Sequence, residues 1–379
     1  MARILYVVNI PRFFMTHRLP LALAARERGY DVHVTTSDAD EANVASIKAT
    51  GLPYYPLPLS QHGTNPLAEV QTVTALYQLY RRLQPDLVHQ VSIKPVLYGG
   101  IAAKTAHVPA VVSAMSGLGY VFISQTPKMR IVRQFVKPLF RLALAGHNTR
   151  MIFQNPDDQQ RFVQMGLLPQ SRTTLIKGSG VDMDTFKPQP EPDDLPVVLF
   201  AGRLLWSKGL GTFVELARRL QGKARFVVAG YPEPSSPHAV SPEQMATWQT
   251  EGAIEWWGKR DDMPDVFASV NIVCLPSTYG EGVPRVLIEA AACGRAIITT
   301  DTPGCREIVH DGENGLLVPP GVLDALISAT QTLINDSAQR AQMGTRGREI
   351  AQAEYSLRRV LDDTFALYEA LLSQYGRKG

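Results

Sequence analysis

Ser277-Thr-Tyr-Gly-Glu-Gly-Val-Pro-Arg-Val-Leu-Ile-Glu-Ala-Ala-Ala-Cys-Gly294 is the stretch from which the architecture of this chain can be read. The apolar run before it, ending at Leu275-Pro276, has the length and composition of a buried strand. A turn carrying Gly280 and Gly282 follows. Pro284 then stands where a helix starts, since a helix does not need an N–H there, and Gly294 stands where it stops. A strand, a glycine turn and a helix in that order aim backbone N–H groups and the positive helix end at one point, which suits a diphosphate. Glu281 lies in the turn and Glu289 in the second turn of the helix, with seven residues between them. Either alone reads as a turn residue or a solvated helix residue. The run Val286-Leu-Ile288 makes the helix largely buried, so Glu289 needs polar partners. Sugar and ribose hydroxyls would supply them.

Upstream, Phe200-Ala-Gly-Arg-Leu-Leu-Trp-Ser-Lys-Gly-Leu210 repeats the strand–loop–helix grammar. Arg203 and Lys208 flank its loop. Singly each reads as half of a surface ion pair. Together at one strand end they can neutralise a diphosphate leaving group without a metal.

The rhythm extends over the whole chain. Strands are expected at Ile4–Val8, Asp31–Thr35, Leu87–Gln90, Ala110–Ala114, Arg150–Gln154 and Thr174–Lys177. A polar, proline-rich stretch, Phe186–Pro196, interrupts them and reads as a linker. The rhythm restarts at Val197–Gly202, Ala224–Ala229, Ala253–Trp257, Ile272–Leu275, Ala296–Thr299 and Gly315–Val318. Short β-rich runs separated by helical patterns imply parallel sheets covered on both faces. The fold expected is α/β, two Rossmann-like doubly wound domains over 1–187 and 188–356, with a cleft between them at the carboxyl ends of the strands. Leu357–Tyr375 reads as one long helix, and the sequence leaves open whether 357–379 packs back on the first domain.

Composition agrees. A chain of 379 residues, 45% hydrophobic and 19% charged, suits two globular cores, and a formal charge of +3 argues against wholesale nucleic-acid binding. Cys274, Cys293 and Cys305 form no CxxC pair and read as small buried apolar residues in a reducing compartment. The N-terminal apolar run is too short for a signal peptide, and no segment is long and apolar enough to span a bilayer. The expectation is a cytoplasmic protein whose membrane contact, if any, is peripheral.

Gly202-Arg203 with Lys208-Gly209, Glu281 and Glu289 at their spacing, Gly180-Val-Asp182 with Phe186, and Gly304-x-x-Glu307 with Asp311-Gly312 and Asn314-Gly315 together resemble family 4 of the retaining glycosyltransferases, the GT-B fold. The resemblance spans nearly the whole chain and is densest in its second half. It implies that a hexose or N-acetylhexosamine is moved with retention from a nucleoside-diphosphate sugar, UDP-linked as first expectation. It assigns the donor diphosphate to Arg203 and Lys208, the ribose to Glu289, and the transferred sugar to Glu281 with the backbone around Gly282, Val283 and Pro284. It places Lys259 and Arg260 near the base. Arg203, Lys208 and Glu281 would carry catalysis, by charge stabilisation and positioning. The family's first-loop glycine pair is replaced by Asn9-Ile-Pro-Arg-Phe-Phe-Met-Thr-His-Arg18, and Ser113–Gly119 lacks the histidine many members carry.

His17-Arg18, Ser92-Ile-Lys94 and Gly117-Leu-Gly119 resemble the subgroup that builds sugars onto polyprenyl-diphosphate carriers for surface polysaccharides or glycans. This implies His17, Arg18, Lys94, Ser116 and Gly117 as acceptor residues. Around them stand Arg12 and the apolar Phe13, Phe14, Val121, Phe122 and Ile123. Over Thr126–Ala145, Arg130, Arg133, Lys137 and Arg141 recur at helical spacing among apolar residues. Such a helix either lies on an anionic membrane or packs its apolar face on its own domain. Asp38-Ala-Asp40 and Asp182-Met-Asp184 match a metal motif of another transferase fold, but three residues recur by chance, and neither metal nor cofactor is expected. Two rival readings are a sugar-nucleotide epimerase, for which only His17 and His89 offer acid–base groups, and a non-catalytic nucleotide-sugar-binding subunit.

Overall fold

A computed structural model describes residues 1–60, 65–119, 122, 124, 126–233, 236 and 238–376. The chain divides into two compact units, Met1–Ser179 with Val360–Gly379, and Gly180–Arg359.

In the first unit β1 (Arg3–Val8), β2 (Asp31–Ser37), β3 (Tyr54–Leu57), β4 (Leu87–Val91), β5 (Ala110–Met115), β6 (Thr149–Phe153) and β7 (Thr173–Leu175) form a sheet in the order β3-β2-β1-β4-β5-β6-β7. Every described pairing is parallel. The central strands are buried on both faces, which is why they read as continuous apolar runs. One face carries Phe14, Leu21 and Ala25 together with Val360, Phe365, Tyr368 and Leu371 of the C-terminal helix Leu357–Tyr375. The other carries Leu76, Leu79, Tyr80 and Leu83 of the helix Pro66–Leu83, and an aromatic group of Phe122, Phe140, Phe153 and Phe162. Strand order reverses between β1 and β4, the switch at which loops leave for opposite faces. Strand β3 was not expected. Prolines crowd its sequence, and only an edge position tolerates Pro56 inside a strand.

In the second unit β8 (Val197–Ala201), β9 (Arg225–Ala229), β10 (Glu255–Gly258), β11 (Ile272–Leu275), β12 (Ala296–Thr300) and β13 (Gly315–Val318) follow the order β10-β9-β8-β11-β12-β13, again parallel in each described pairing. The reversal here falls between β8 and β11, so the loops after those strands emerge side by side.

The stretch Phe186–Pro196, read as a linker, is strapped onto the second unit. Phe186 joins its core, Arg295 donates to the Gln189 and Pro190 carbonyls at 2.9 and 3.2 Å, and Glu191 accepts from Asn271 and Arg340 at 3.0 and 2.8 Å. Residues 180–187, assigned above to the first domain, belong with it because Val181 pairs with Ser356. No described helix is long and apolar enough to cross a membrane. The three cysteines are buried and unbridged.

Candidate functional site

The loop after β8 and the loop after β11 are built to touch. Gly209 sits at φ 78°, and a Cβ there would stand 1.9 Å from the Pro276 carbonyl oxygen. Only glycine lets the two backbones approach so closely. The Ser207 carbonyl accepts from the Thr278 N–H and hydroxyl at 3.0 and 3.1 Å. This seam fixes Lys208 opposite Glu281, and the Lys208 ammonium donates to both carboxylate oxygens at 2.8 Å. Both side chains are largely screened from solvent. Two residues assigned to different parts of one donor thus meet directly.

The glycine turn is held from behind by the loop after β12. The Glu281 N–H donates to the Pro303 carbonyl at 3.1 Å. Gly304, at φ 86°, lies against the turn, where a Cβ would stand 2.1 Å from the Gly282 oxygen and 2.5 Å from that of Glu281. The hydroxyl of buried Ser277 comes within 3.3 Å of Glu281 Oε1. The helix expected from Pro284 spans Arg285–Ala292, with Pro284 in the cap position before the first helical residue. It ends as predicted: Gly294 takes the left-handed conformation, its N–H reaches Ala291 and that of Arg295 reaches Ala290, each at 3.0 Å.

Glu289 is 7% exposed, as the apolar run around it required. Its partner is Arg285, one turn back, whose Nε donates to Oε1 at 2.6 Å. Burial pushes the Glu289 carboxyl above its ordinary range, and the Arg285 guanidinium opposes this.

Arg203 lies in the loop that carries Lys208, half exposed, and pairs with Glu233 of the loop after β9 at 3.0 Å. The two loops are zipped by Leu204 to Tyr231 and Trp206 to His238. Lys259 and Arg260 follow β10, at the edge of the sheet, and pair locally with Asp261 and Asp262. Glu233 and Arg285 were not singled out in the sequence. Arg285 had a signal in its four-residue spacing to Glu289; Glu233 had none.

The acceptor candidates follow the carboxyl ends of β1, β4 and β5 in the first unit. His17 stacks on Phe13 with ring centroids 4.1 Å apart. Lys94 pairs with Glu69 at 2.7 Å and donates to the Ser60 carbonyl at 2.8 Å. Ser92 before it holds φ 82°, a conformation costly for a non-glycine residue. Ser116 and Gly117 are partly buried in the loop after β5. Arg18 is turned inward and buried near Tyr6 and Tyr368, and desolvation lowers its guanidinium pKa. His89 is buried too, stacked on Tyr6 and bonded to Tyr368, with burial holding it neutral. Phe14 and Phe122 are core residues and offer an acceptor no apolar surface, which corrects that expectation. Val121 and Ile123 lie outside the described residues.

The two Asp-x-Asp motifs have local uses. Asp40 caps the helix Glu41–Ala49, and Asp182 accepts from Asp184 N–H at 2.9 Å and the Thr185 hydroxyl at 2.7 Å. Among the described residues no group of three or more His, Cys, Asp or Glu is arranged to hold a metal.

Two family descriptions match the chain: "Glycosyl transferase 4-like" over residues 3–155 and "Glycosyl transferases group 1" over residues 195–336. The chain is 27% identical to the N,N'-diacetylbacillosaminyl-diphospho-undecaprenol α-1,3-N-acetylgalactosaminyltransferase of Campylobacter jejuni, covering 88% of this chain and 90% of that protein. It is 25% identical to the UDP-Gal:α-D-GlcNAc-diphosphoundecaprenol α-1,3-galactosyltransferase of Escherichia coli, covering 71% and 72%. Among solved structures, Anabaena HepE in complex with UDP and glucose superposes with a TM-score of 0.77 at 20% identity, covering 98% of this chain and all of that one. That last likeness is one of fold.

The buried carboxyl of Glu289 makes a pH prediction. Its folded pKa is raised, so the folded state binds the proton more tightly than the unfolded one. Its contribution to stability therefore falls as pH rises from the ordinary glutamate value of about 4.3 through the raised value. Glu289→Gln lacks this titration. Urea unfolding at a series of pH values is expected to show the variant gaining on the parent across that window, with a constant difference above it.

Proposed function

The chain belongs to the group 1, 4-like glycosyltransferases, and from that premise we propose that it moves a hexose or N-acetylhexosamine, with retention, from a UDP-linked sugar to a sugar carried on a polyprenyl diphosphate. The observation that carries the reading is the Lys208–Glu281 pair at the carboxyl edge of the second sheet, beside the start of the helix that carries Glu289. When a donor arrives, its diphosphate takes Lys208 and Arg203, and Glu281 turns to the hydroxyls of the sugar. Glu289, held by Arg285, accepts from the ribose hydroxyls. Backbone around Gly282, Val283 and Pro284 lines the sugar, and Lys259 and Arg260 lie toward the base. His17, Lys94, Ser116 and Gly117 form the acceptor side, with Arg18 buried behind them beside Tyr6 and Tyr368.

The reaction proposed is a front-face substitution. The bond from the anomeric carbon to the diphosphate breaks, and the bond to the acceptor oxygen forms on the same face. The acceptor hydroxyl gives its proton to the departing phosphate. The two cations and the helix start stabilise the charge that leaves, so no metal is required in this account. The named acceptors of the Campylobacter and Escherichia relatives are undecaprenol-diphosphate sugars, which supports the acceptor class. Such a carrier resides in a bilayer while nucleotide sugars are soluble, so the enzyme would work at the cytoplasmic face of a membrane, attached peripherally.

Incubation with isotope-labelled UDP-sugars and a polyprenyl-diphosphate-sugar, read by mass spectrometry, tests the proposal. A product heavier by one sugar is expected; isomerised donor would indicate an epimerase, and unchanged donor a binding subunit. Arg203→Ala and Lys208→Ala are each expected to lower turnover by ~10²–10³. Melting is expected to be unchanged in Arg203→Ala, since Arg203 is half exposed, and lowered in Lys208→Ala, which takes the cation from the screened Glu281 carboxylate. Turnover is expected to persist in EDTA; loss in EDTA with recovery on adding Mg²⁺ or Mn²⁺ would overturn the metal-free mechanism.

A further inference from the structure

The helix Pro127–Ala143 of the first unit presents two different faces to solvent. Its inward face, Val136, Phe140 and Ala143, packs in the aromatic group of Phe122, Phe153 and Phe162, so the helix has a core attachment of its own. Yet Ile131, Phe135, Leu139 and Leu142 are left outside, with Ile131 63% and Phe135 73% exposed. At the period of an α-helix these four fall on one stripe. Exposed large apolar residues are otherwise scattered over the described surface, and a contiguous row marks an interaction site.

The charges of this helix are of one sign. The helix carries Lys128, Arg130, Arg133, Lys137 and Arg141 and no acidic residue. Two of the four cations singled out in the sequence are engaged within the unit: Arg133 donates to the Ser124 carbonyl, and Arg141 to those of Gly166 and Met165 at 2.9 and 3.3 Å. They fasten the helix. Among the described residues Lys128, Arg130 and Lys137 enter no ion pair. By helical period Arg130, Lys137 and Arg141 form a ridge on the other flank of the outward face, about 135° around the helix from the apolar stripe, and Lys128 lies in line with the stripe at its start.

We infer that this helix lies in the surface of an anionic bilayer, with Ile131, Phe135, Leu139 and Leu142 inserted among the acyl chains and Lys128, Arg130 and Lys137 among the headgroups. The inference deepens the proposed transfer, on which it rests for the role of the membrane, by naming the surface that meets the acceptor's bilayer. A second copy of the chain is a poorer occupant. A two-fold pairing on the apolar stripe would leave the cation ridge on the other flank without a counterpart. A nucleic acid would meet the cations but leave the apolar row without a counterpart. An anionic bilayer satisfies both rows at once, the arrangement of an interfacial amphipathic helix.

The test is flotation of the full chain with phosphatidylcholine vesicles, with and without phosphatidylglycerol, at low and high salt. The parent is expected to float with the anionic vesicles and less so as salt rises. The double variant Ile131→Ser, Phe135→Ser is expected to lose affinity by on the order of tenfold per residue. The double variant Lys128→Gln, Arg130→Gln is expected to lose roughly fivefold per charge, on anionic vesicles only. The serine variant should melt with the parent, because both side chains are exposed, and should match it on a short-chain, water-soluble diphosphate-sugar acceptor. A parent that does not float, a serine variant that floats equally, or a parent dimer that the serine pair dissociates would each overturn the inference. If the parent floats but transfers no sugar to any acceptor, the proposed reaction fails and the membrane surface stands.

Discussion

A lysine and a glutamate 73 positions apart meet at 2.8 Å because two glycines allow three backbones into one small space. Gly209 brings the loop after β8 onto Pro276, and Gly304 brings the loop after β12 under Glu281 and Gly282. A side chain at either position would push these loops apart by more than a rotamer change could absorb. The constraint begins in the sheet: β8 and β11 are neighbours although distant in sequence, since this is where strand order reverses. Topology brings the loops together, glycine lets them touch, and the contact places a cation and an anion where a diphosphate and a sugar would divide them.

The same region holds its second carboxylate differently. Glu281 is fixed by an ion pair reaching across two loops, Glu289 by Arg285 on its own helix. A buried carboxylate with one neighbouring cation has further oxygen lone pairs to satisfy, which suits it to hydroxyl donors. The two glutamates therefore differ in more than position. In the proposed reaction one exchanges its partner when a donor binds, and the other keeps its partner throughout.

Much of this was legible in the chain, and the reasons are local. Continuous apolar runs announced parallel strands, and Pro284 and Gly294 bracketed a helix to within a residue at its start. The burial of Glu289 followed from Val286, Leu287 and Ile288. What the sequence hid was set by tertiary contact. Strand β3 exists because an edge position forgives Pro56. The strap Phe186–Pro196 looks like a linker until Arg295, Arg340 and Asn271 are seen to hold it. Arg18, Phe14 and Phe122 have residue types suited to an acceptor surface, yet they are buried. The helix Pro127–Ala143 was undecided by its periodicity, because exposed and inward apolar residues alternate around it; only the packing of Phe140 against Phe162 shows which stripe is left outside.

The central claim is that Glu281 faces the sugar and merely occupies Lys208 until a diphosphate claims it. Calorimetric titration of UDP, which has no sugar to bind, into the parent and into Glu281→Gln tests this most directly. Removing the carboxylate frees Lys208 and removes a negative charge beside the phosphates, so the account predicts that the variant binds UDP several-fold more tightly than the parent while transferring sugar more slowly. Equal or weaker UDP binding by the variant would contradict it.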